Sequence, residues 1–435
     1  VTAKPASVWI VNQYALPRGS AGMTRHGDLA SVLRDHGHDV TVIASSFHYY
    51  RSGDLAVSKR GVTDEDGVRF VWLESASYQR NDIRRVYNMV EFYVRAVTAR
   101  LGGQVGRPDV VIGSSPSLLC ALAGLDLARR HRARFVLELR DVWPDDLVAM
   151  GALREGGAVH VALDRLVRYL EARADRIVTV PPKLAEHLVA RGVPAEKVVH
   201  LPNGVFLDDR GEPSAPLPET LRAELEACRG SFVVMYMGAH GLANGLHNVL
   251  DAARVLAAER PDLPVSFVLI GAGQQKEELV ARARREGIAN VRFHDPIPKG
   301  AVPAAARAAD ALMVHLAPVT TFDAYGRSPN KLYDYLAAGR PVLYSTTDTT
   351  TIVDAARAGL TFTPGDPRAL ADAVLRLARM EPEEREAMGR RGRAALEGRH
   401  DLAKLGARLS RLIEELASEP SPQKAPATML GRPYS

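Results

Sequence analysis

Only two cysteines occur in 435 residues, Cys120 and Cys228. They stand far apart in apolar or helical contexts, which excludes a disulfide framework and a cysteine-based zinc site and fits a reducing, cytoplasmic setting. No apolar run is long enough to span a bilayer, and the first residues lack the basic, apolar and small-residue pattern of a secretory signal. The expectation is a chain that is not integral to a membrane. Charge of one sign is scarce too: 56 Lys and Arg against 51 Asp and Glu leave a formal net charge of +5, which does not call for nucleic acid. No repeat of fixed period is present, which sets aside solenoids and propellers. What remains is ordinary globular material, 46% apolar and 25% charged, in a chain too long for one hydrophobic core.

Apolar periodicity alternates between strand and helix. Residues 8–11 read as a strand, 24–36 as a helix and 40–44 as a second strand, which is a βαβ unit; strands at 110–113, 135–139 and 177–180 alternate with helices at 118–130 and 163–174. Leu201-Pro202-Asn203-Gly204-Val205 is followed by a polar stretch, 206–218, rich in Pro, Asp and Glu, which marks a domain boundary. A second series opens with a strand at 232–237 and runs through a helix at 246–260, strands at 265–270, 291–293 and 311–315, a helix at 331–338 and a strand at 342–345. Such alternation implies parallel sheets covered by helices on both faces. The expected fold class is α/β: two doubly wound, Rossmann-like domains facing a cleft, 1–205 and 206–395. A final helix, 396–417, would pack back toward the first domain, and a tail over 418–435 would be disordered.

In open parallel sheets, ligands bind where the loops leave the carboxyl ends of strands. After the first strand, Gly19 and Gly22 allow close backbone approach and Arg25 opens a helix; a substrate contact and a flexible turn account for these residues equally well. The loop lacks the G-x-G-x-x-G spacing of a dinucleotide site. In the second half, Gly238-Ala239-His240-Gly241-Leu242-Ala243-Asn244-Gly245 follows an apolar strand and precedes a helix, a context that suits a diphosphate. Ile270-Gly271-Ala272-Gly273-Gln274-Gln275-Lys276 follows the next strand, and Lys276 there is either an anion contact or a solvated residue of a first helical turn.

Arg327-Ser328-Pro329-Asn330-Lys331-Leu332-Tyr333-Asp334 is the most informative stretch. Ser328 suits a helix cap and Pro329 the first helical position, so Lys331 falls in the first turn, a place that favours a cation chiefly when a phosphate is present. Asp334 follows on the same face, either for ribose hydroxyls or as one half of an exposed ion pair. Elsewhere, 82–100 combines Ile83, Val86, Tyr87, Val90, Val94 and Val97 with four arginines. Such a helix suits peripheral contact with a membrane, but its apolar stripe is preferred as core-facing.

Arg140-Asp141-Val142-Trp143-Pro144-Asp145, Pro202-Asn203-Gly204-Val205, Gly238-x-x-Gly241-x-x-x-Gly245, Pro298-Lys299-x-x-Val302-Pro303 and Ser328-Pro329-Asn330-Lys331-Leu332-Tyr333-Asp334-Tyr335 occur in order along most of the chain. Together they resemble the retaining glycosyltransferases of family four, which have the GT-B architecture, and within it the bacterial polysaccharide branch of N-acetylfucosaminyl and colanic-acid type. Two departures stand out. The family's two glutamates, eight positions apart, are replaced by Gly326 and Asp334, and its Arg and Lys pair after the glycine loop is missing, leaving His240 and Asn244. The resemblance implies hexosyl transfer from a nucleoside diphosphate sugar, UDP-linked, with an N-acetylated hexose among the candidate sugars, to a glycan, lipid-linked or small-molecule hydroxyl, with no metal or further cofactor. The donor site expected on this basis comprises Gly238, His240, Gly241, Gly273, Lys276, Ile297, Asn330, Lys331, Leu332 and Asp334. Asp141 and Lys331 are the catalytic candidates, while Gly19, Gly22, Arg25 and Arg140 are expected at the acceptor. A sugar-nucleotide 2-epimerase, a nicotinamide-dependent oxidoreductase and an inactive sugar-binding homologue are the rival readings.

Overall fold

A computed structural model describes residues 5–20, 22–47, 60–78, 83–208 and 212–419. The tail expected beyond residue 418 lies almost entirely outside the described residues. The first domain is built on eight strands: β1 (Ser7–Val11), β2 (Asp39–Ser45), β3 (Gly61–Glu65), β4 (Val68–Leu73), β5 (Val110–Ser114), β6 (Arg134–Leu139), β7 (Arg176–Thr179) and β8 (Val198–His200). They are ordered β3-β4-β2-β1-β5-β6-β7-β8. All neighbours run parallel except the β3–β4 hairpin, whose Asp66-Gly67 turn has φ of 52° and 77° at its two central residues, the geometry of a tight two-residue hairpin. Sequence periodicity did not reveal this hairpin because β3 is a polar edge strand with no buried residue to signal it.

The second domain carries six parallel strands: β9 (Phe232–Met237), β10 (Val265–Ile270), β11 (Val291–His294), β12 (Ala311–Val314), β13 (Val342–Ser345) and β14 (Gly359–Phe362), ordered β11-β10-β9-β12-β13-β14. β9 and β10 are buried along their whole length, as befits strands covered on both faces. In each sheet the chain order reverses at its first central strand, β1 or β9, which is where ligand crevices of doubly wound sheets form.

Residues 200–206 and 400–402 are the crossings between domains. Val205 pairs with Asp401 there, and helix Leu402–Ser418 then lies on helix Arg25–Asp35 of the first domain. A Cβ on Gly406 would stand 2.3 Å from Val32 Cγ1, so only glycine permits this approach. Leu405, Leu409, Ile413 and Leu416 join Val8, Ile10 and Leu29 in one core. The last helix therefore belongs structurally to the first domain.

One expectation is reversed. In helix Ile83–Thr98 the core side consists of Asn88, Met89, Phe92 and Ala96, whereas Ile83, Val86, Tyr87, Val90 and Val94 are exposed. The helix has two apolar faces, and the spacing of Met89, Phe92 and Ala96 serves the core as well as the stripe read from sequence does. Among the described residues, no helix is long and apolar enough to cross a membrane.

Candidate functional site

The candidate donor corner is built on two glycine turns at the carboxyl ends of β9 and β10. Gly238 (φ +152°) donates its N–H to the Ile270 carbonyl at 2.9 Å, and the His240 N–H reaches the Ala272 carbonyl at 2.8 Å. A Cβ on Gly271 (φ +148°) would stand 1.9 Å from the Gly238 carbonyl oxygen. The two glycine loops interlock backbone to backbone, so the sequence can place nothing but hydrogen there.

Helix Asn330–Ala337 brings the cation. Its Tyr335 hydroxyl bridges the N–H (2.7 Å) and carbonyl (3.1 Å) of Met237, pinning the helix to the end of β9. Lys331, one turn earlier, donates to the Tyr236 hydroxyl at 2.8 Å with its ammonium 3.9 Å from that ring's centre. Tyr236 in turn donates to the Ala239 carbonyl. No carboxylate lies within ion-pair distance of Lys331 among the described residues, and burial alone lowers its pKa to about 7. A Cβ on Gly238 would fall 2.5 Å from the Lys331 Nζ, so the ammonium lies directly over the glycine turn. Gly238→Ala is accordingly expected to displace Lys331 and weaken nucleoside diphosphate binding about tenfold with the fold intact, measurable by calorimetric titration with UDP.

Two histidines complete this corner. His240 is fully buried, neither ring nitrogen has a hydrogen-bond partner, and burial with Lys276 and Lys331 nearby holds its pKa at about 4. His315, at the end of β12, donates from Nδ1 to the Asn244 carbonyl (2.7 Å) and accepts from the Asn248 amide (3.0 Å). Its pKa is also lowered to about 4 by burial, so a neutral ring with one fixed tautomer holds the turn at Leu242–Asn244. Sequence reading missed Tyr236 and His315; their position at strand ends was the available signal.

Other expected donor residues are placed differently. Lys276 gives its ammonium to Asp295 (2.6 Å) and the His294 carbonyl (2.9 Å), so its charge is neutralised beside β11. The Ile297 and Leu332 side chains are buried in the core, and Gly273 packs against the His240 backbone. Ser328 caps no helix: its hydroxyl meets Tyr333 and accepts the Asn203 N–H, tying the crossing to the second domain. Asn330 and Asp334 line an interdomain cavity of about 220 Å³ together with Gly19, Asp28 and Lys299, whose ammonium reaches Thr24 at 2.7 Å. Burial raises the pKa of Asp334, with Lys299 opposing. Gly22 packs against Leu16, and Gly241 precedes the turn at Leu242–Asn244.

On the opposite wall, the segment from Arg140 to Asp145 faces residues 320–327. Arg327 lies over the Phe322 ring at 3.4 Å and reaches Asp146 at 3.2 Å and Asp141 at 3.4 Å, while Tyr325 donates to Asp145 at 2.7 Å. Asp141 therefore meets a guanidinium from the other domain. Arg140 keeps Nε and Nη1 buried without a partner. Arg25 is turned inward: it donates to Glu138 and to the carbonyls of Leu201 and Pro202, so its guanidinium is occupied in bracing the domain crossing at the edge of the interdomain cavity. At Gly326 (φ +70°) a Cβ would come 2.6 Å from Pro182 Cγ, so in this arrangement a glutamate there would collide with the first domain.

Two doubly wound parallel sheets, one in each domain, make the GT-B architecture. Residues 21–204 match the Glycosyl transferase 4-like domain and 231–380 match Glycosyl transferases group 1. The chain is 27% identical over 322 residues, 72% of its length and 76% of the relative's, to WcaI of Escherichia coli (strain K12), named as a colanic acid biosynthesis glycosyl transferase. Its fold is similar to that of sucrose-phosphate synthase from Thermosynechococcus elongatus (TM-score 0.72, 17% identity, 94% of this chain and 99% of that one). It is also similar to that of Anabaena HepE in complex with UDP-glucose (TM-score 0.68, 16% identity, 94% and 100%). The chain belongs to glycosyltransferase family four.

Proposed function

We propose that the chain transfers a hexosyl group from a UDP-sugar to a hydroxyl of a glycan or lipid-linked acceptor, with retention of configuration. The observation that carries the donor assignment is Lys331: a largely buried cation without a carboxylate, held over two interlocked glycine turns. Such a group destabilises the protein unless an anion completes it. HepE, which has the same fold, is seen with UDP-glucose, and this supports the choice of nucleotide.

In this reading the bond between the sugar's anomeric carbon and the β-phosphate oxygen breaks while the acceptor oxygen bonds to the same face. The acceptor's proton passes to the departing phosphate oxygen. Protonated Lys331 and the N–H groups at the start of helix Asn330–Ala337 stabilise the charge that develops on the diphosphate. Asp141, held by Arg327 across the cleft, flanks the sugar and stabilises positive charge on its ring. Asp334 accepts from ribose hydroxyls, and Arg140, with its unpartnered nitrogens, receives the acceptor.

Incubation with UDP-glucose or UDP-N-acetylglucosamine and a saccharide acceptor panel, followed by proton NMR of the product, tests this. An α-linked product from the α-linked donor is expected. A β-linked product would reject retention, and an epimerised nucleotide sugar formed without acceptor would reject transfer.

A further inference from the structure

Every polar group of Asn203 is engaged, and its partners come from three separate parts of the molecule. The residue belongs to the Pro202-Asn203-Gly204-Val205 motif at the first crossing and is 5% exposed. Its Oδ1 accepts from Arg25 Nη1 of the first domain at 3.0 Å, and its Nδ2 donates to the carbonyl of Ser328 in the second. A guanidinium offers only donors and a carbonyl only an acceptor, so this orientation of the amide is the one that satisfies both. The backbone is used as fully. The Asn203 N–H donates to Ser328 Oγ at 3.1 Å, and its carbonyl accepts from Nδ1 of His400, on the second crossing, at 3.0 Å.

These contacts close into a ring. Ser328 Oγ also meets Tyr333 Oη at 2.6 Å, and the Tyr333 ring stacks on His400 with 4.6 Å between centres. Burial lowers the pKa of His400, so a neutral ring with its proton on Nδ1 completes the circuit. A Cβ on Gly204 would stand 2.3 Å from the His400 carbonyl oxygen, which accepts the Val205 N–H at 3.0 Å; the two crossings touch backbone to backbone. Helix Asn330–Ala337 is thus held from two sides, by Tyr335 at the end of β9 and by Tyr333 and Ser328 at the crossings. Ser328 and Pro329 lead directly into the turn that carries Lys331.

We propose that Asn203 is a positioning residue for the donor: through Ser328 it sets the first turn of helix Asn330–Ala337, so that a nucleoside diphosphate meets Lys331 and the neighbouring N–H groups already in place, a role that rests on the reading of that turn as the donor site. Arg25 and His400 suffice to brace the crossings. The two bonds from Asn203 to Ser328 go beyond such a brace and serve the donor segment, as the outer supports of a preorganised site do.

Titration calorimetry with UDP and scanning calorimetry of Asn203→Ala and Asn203→Asp test the proposal. Aspartate keeps the acceptor for Arg25 but offers no donor to the Ser328 carbonyl. Both variants should bind UDP about tenfold more weakly, the equivalent of one or two hydrogen bonds. The Tm should fall in Asn203→Ala and stay near that of the parent in Asn203→Asp. With UDP-glucose as donor, KM should rise by the same factor while kcat stays within about threefold, because the bound donor reorders the turn before chemistry begins. If alanine prevents folding, the aspartate variant carries the test together with Tyr333→Phe, which keeps the stack on His400, loses the hydroxyl tie and should weaken UDP binding about threefold. Parent-like UDP affinity in Asn203→Asp overturns the proposal and leaves the donor site in place, as does an affinity that simply follows the Tm across the variants. Absence of UDP binding in the parent removes the donor reading and the proposal with it.

Discussion

Lys331→Ala is expected to lower kcat/KM for sugar transfer by about 10²–10³-fold, the loss typical of removing one preorganised charge from a developing oxyanion. The same change should weaken UDP binding, because no neighbouring cation takes over: Lys276 is neutralised by Asp295 and His240 is a neutral ring. The pH dependence is the sharper test. In the free protein Lys331 titrates at about 7, and a bound diphosphate raises that value. As pH climbs above 7, binding must first take up a proton, so UDP affinity falls by up to about tenfold per pH unit until the bound-state pKa is passed. Titration calorimetry in buffers of different ionisation enthalpy should show this proton uptake in the parent and none in Lys331→Ala. Equal pH slopes in the two proteins would remove Lys331 from the donor site. Stability moves the opposite way. The folded-state pKa lies below the unfolded value, so the unfolded chain holds more protons between pH 7 and about 10.4, and the free protein gains stability as pH rises through that window. Lys331→Met removes this cost and should raise the Tm at neutral pH while weakening UDP binding as Lys331→Ala does.

The two α/β units were legible in sequence because their strands are nearly continuous apolar runs, such as Val265–Ile270 between turn residues. The β3–β4 hairpin escaped because its edge strand is polar, and the stripe at Ile83 was given the wrong face because a helix with two apolar sides has no unique inward direction in one dimension. Within the site, Lys331 and Gly238 were legible for a local reason: a glycine turn and a helix start are both written in neighbouring residues. Lys276 and Arg25 looked equally cationic. What decides their role is a partner distant in the chain, Asp295 for one and Glu138 with the Leu201 and Pro202 carbonyls for the other, and no local pattern contains that information. Gly326 shows the same limit. Its departure from the family's glutamate was visible, but the reason, contact with Pro182 across the cleft, exists only once the domains meet.

Glu138→Ala is the substitution expected to cost most stability. Glu138, next to last in β6, is 3% exposed and accepts from Arg25 Nε (3.1 Å), His26 Nε2 (2.7 Å) and Ser114 Oγ (2.6 Å). Burial alone would raise its pKa, but the Arg25 cation, His26 with its hydrogen bond, and then Arg140 reverse this and hold it well below the usual carboxylate range. His26 is lowered by its own burial, so it is the neutral ring that donates to the carboxylate. Deleting the carboxylate leaves Arg25 buried with no counter-charge and Arg140 with Asp141 alone, a loss of about 3–5 kcal/mol and roughly 10 °C in the Tm of the first domain. The pH signature follows from the direction of both shifts. The stabilisation is present above the unfolded-state pKa of each group and is lost as pH falls, first through His26 below about 6.5 and then through Glu138 below about 4.3. The Glu138→Ala protein should lose the lower of these two limbs, and Glu138→Gln, which keeps an acceptor without the charge, should fall between the variant and the parent. Function is drawn in through Arg25, which braces Leu201 and Pro202 where the chain crosses between domains, next to Asn203 and its tie to Ser328. A loosened crossing should raise the KM for the donor as well as lower the Tm, and scanning calorimetry with and without UDP separates the two effects. A Tm within about 2 °C of the parent would mean that the two arginines find solvent when the carboxylate is gone, and that the buried cluster does not anchor the first domain.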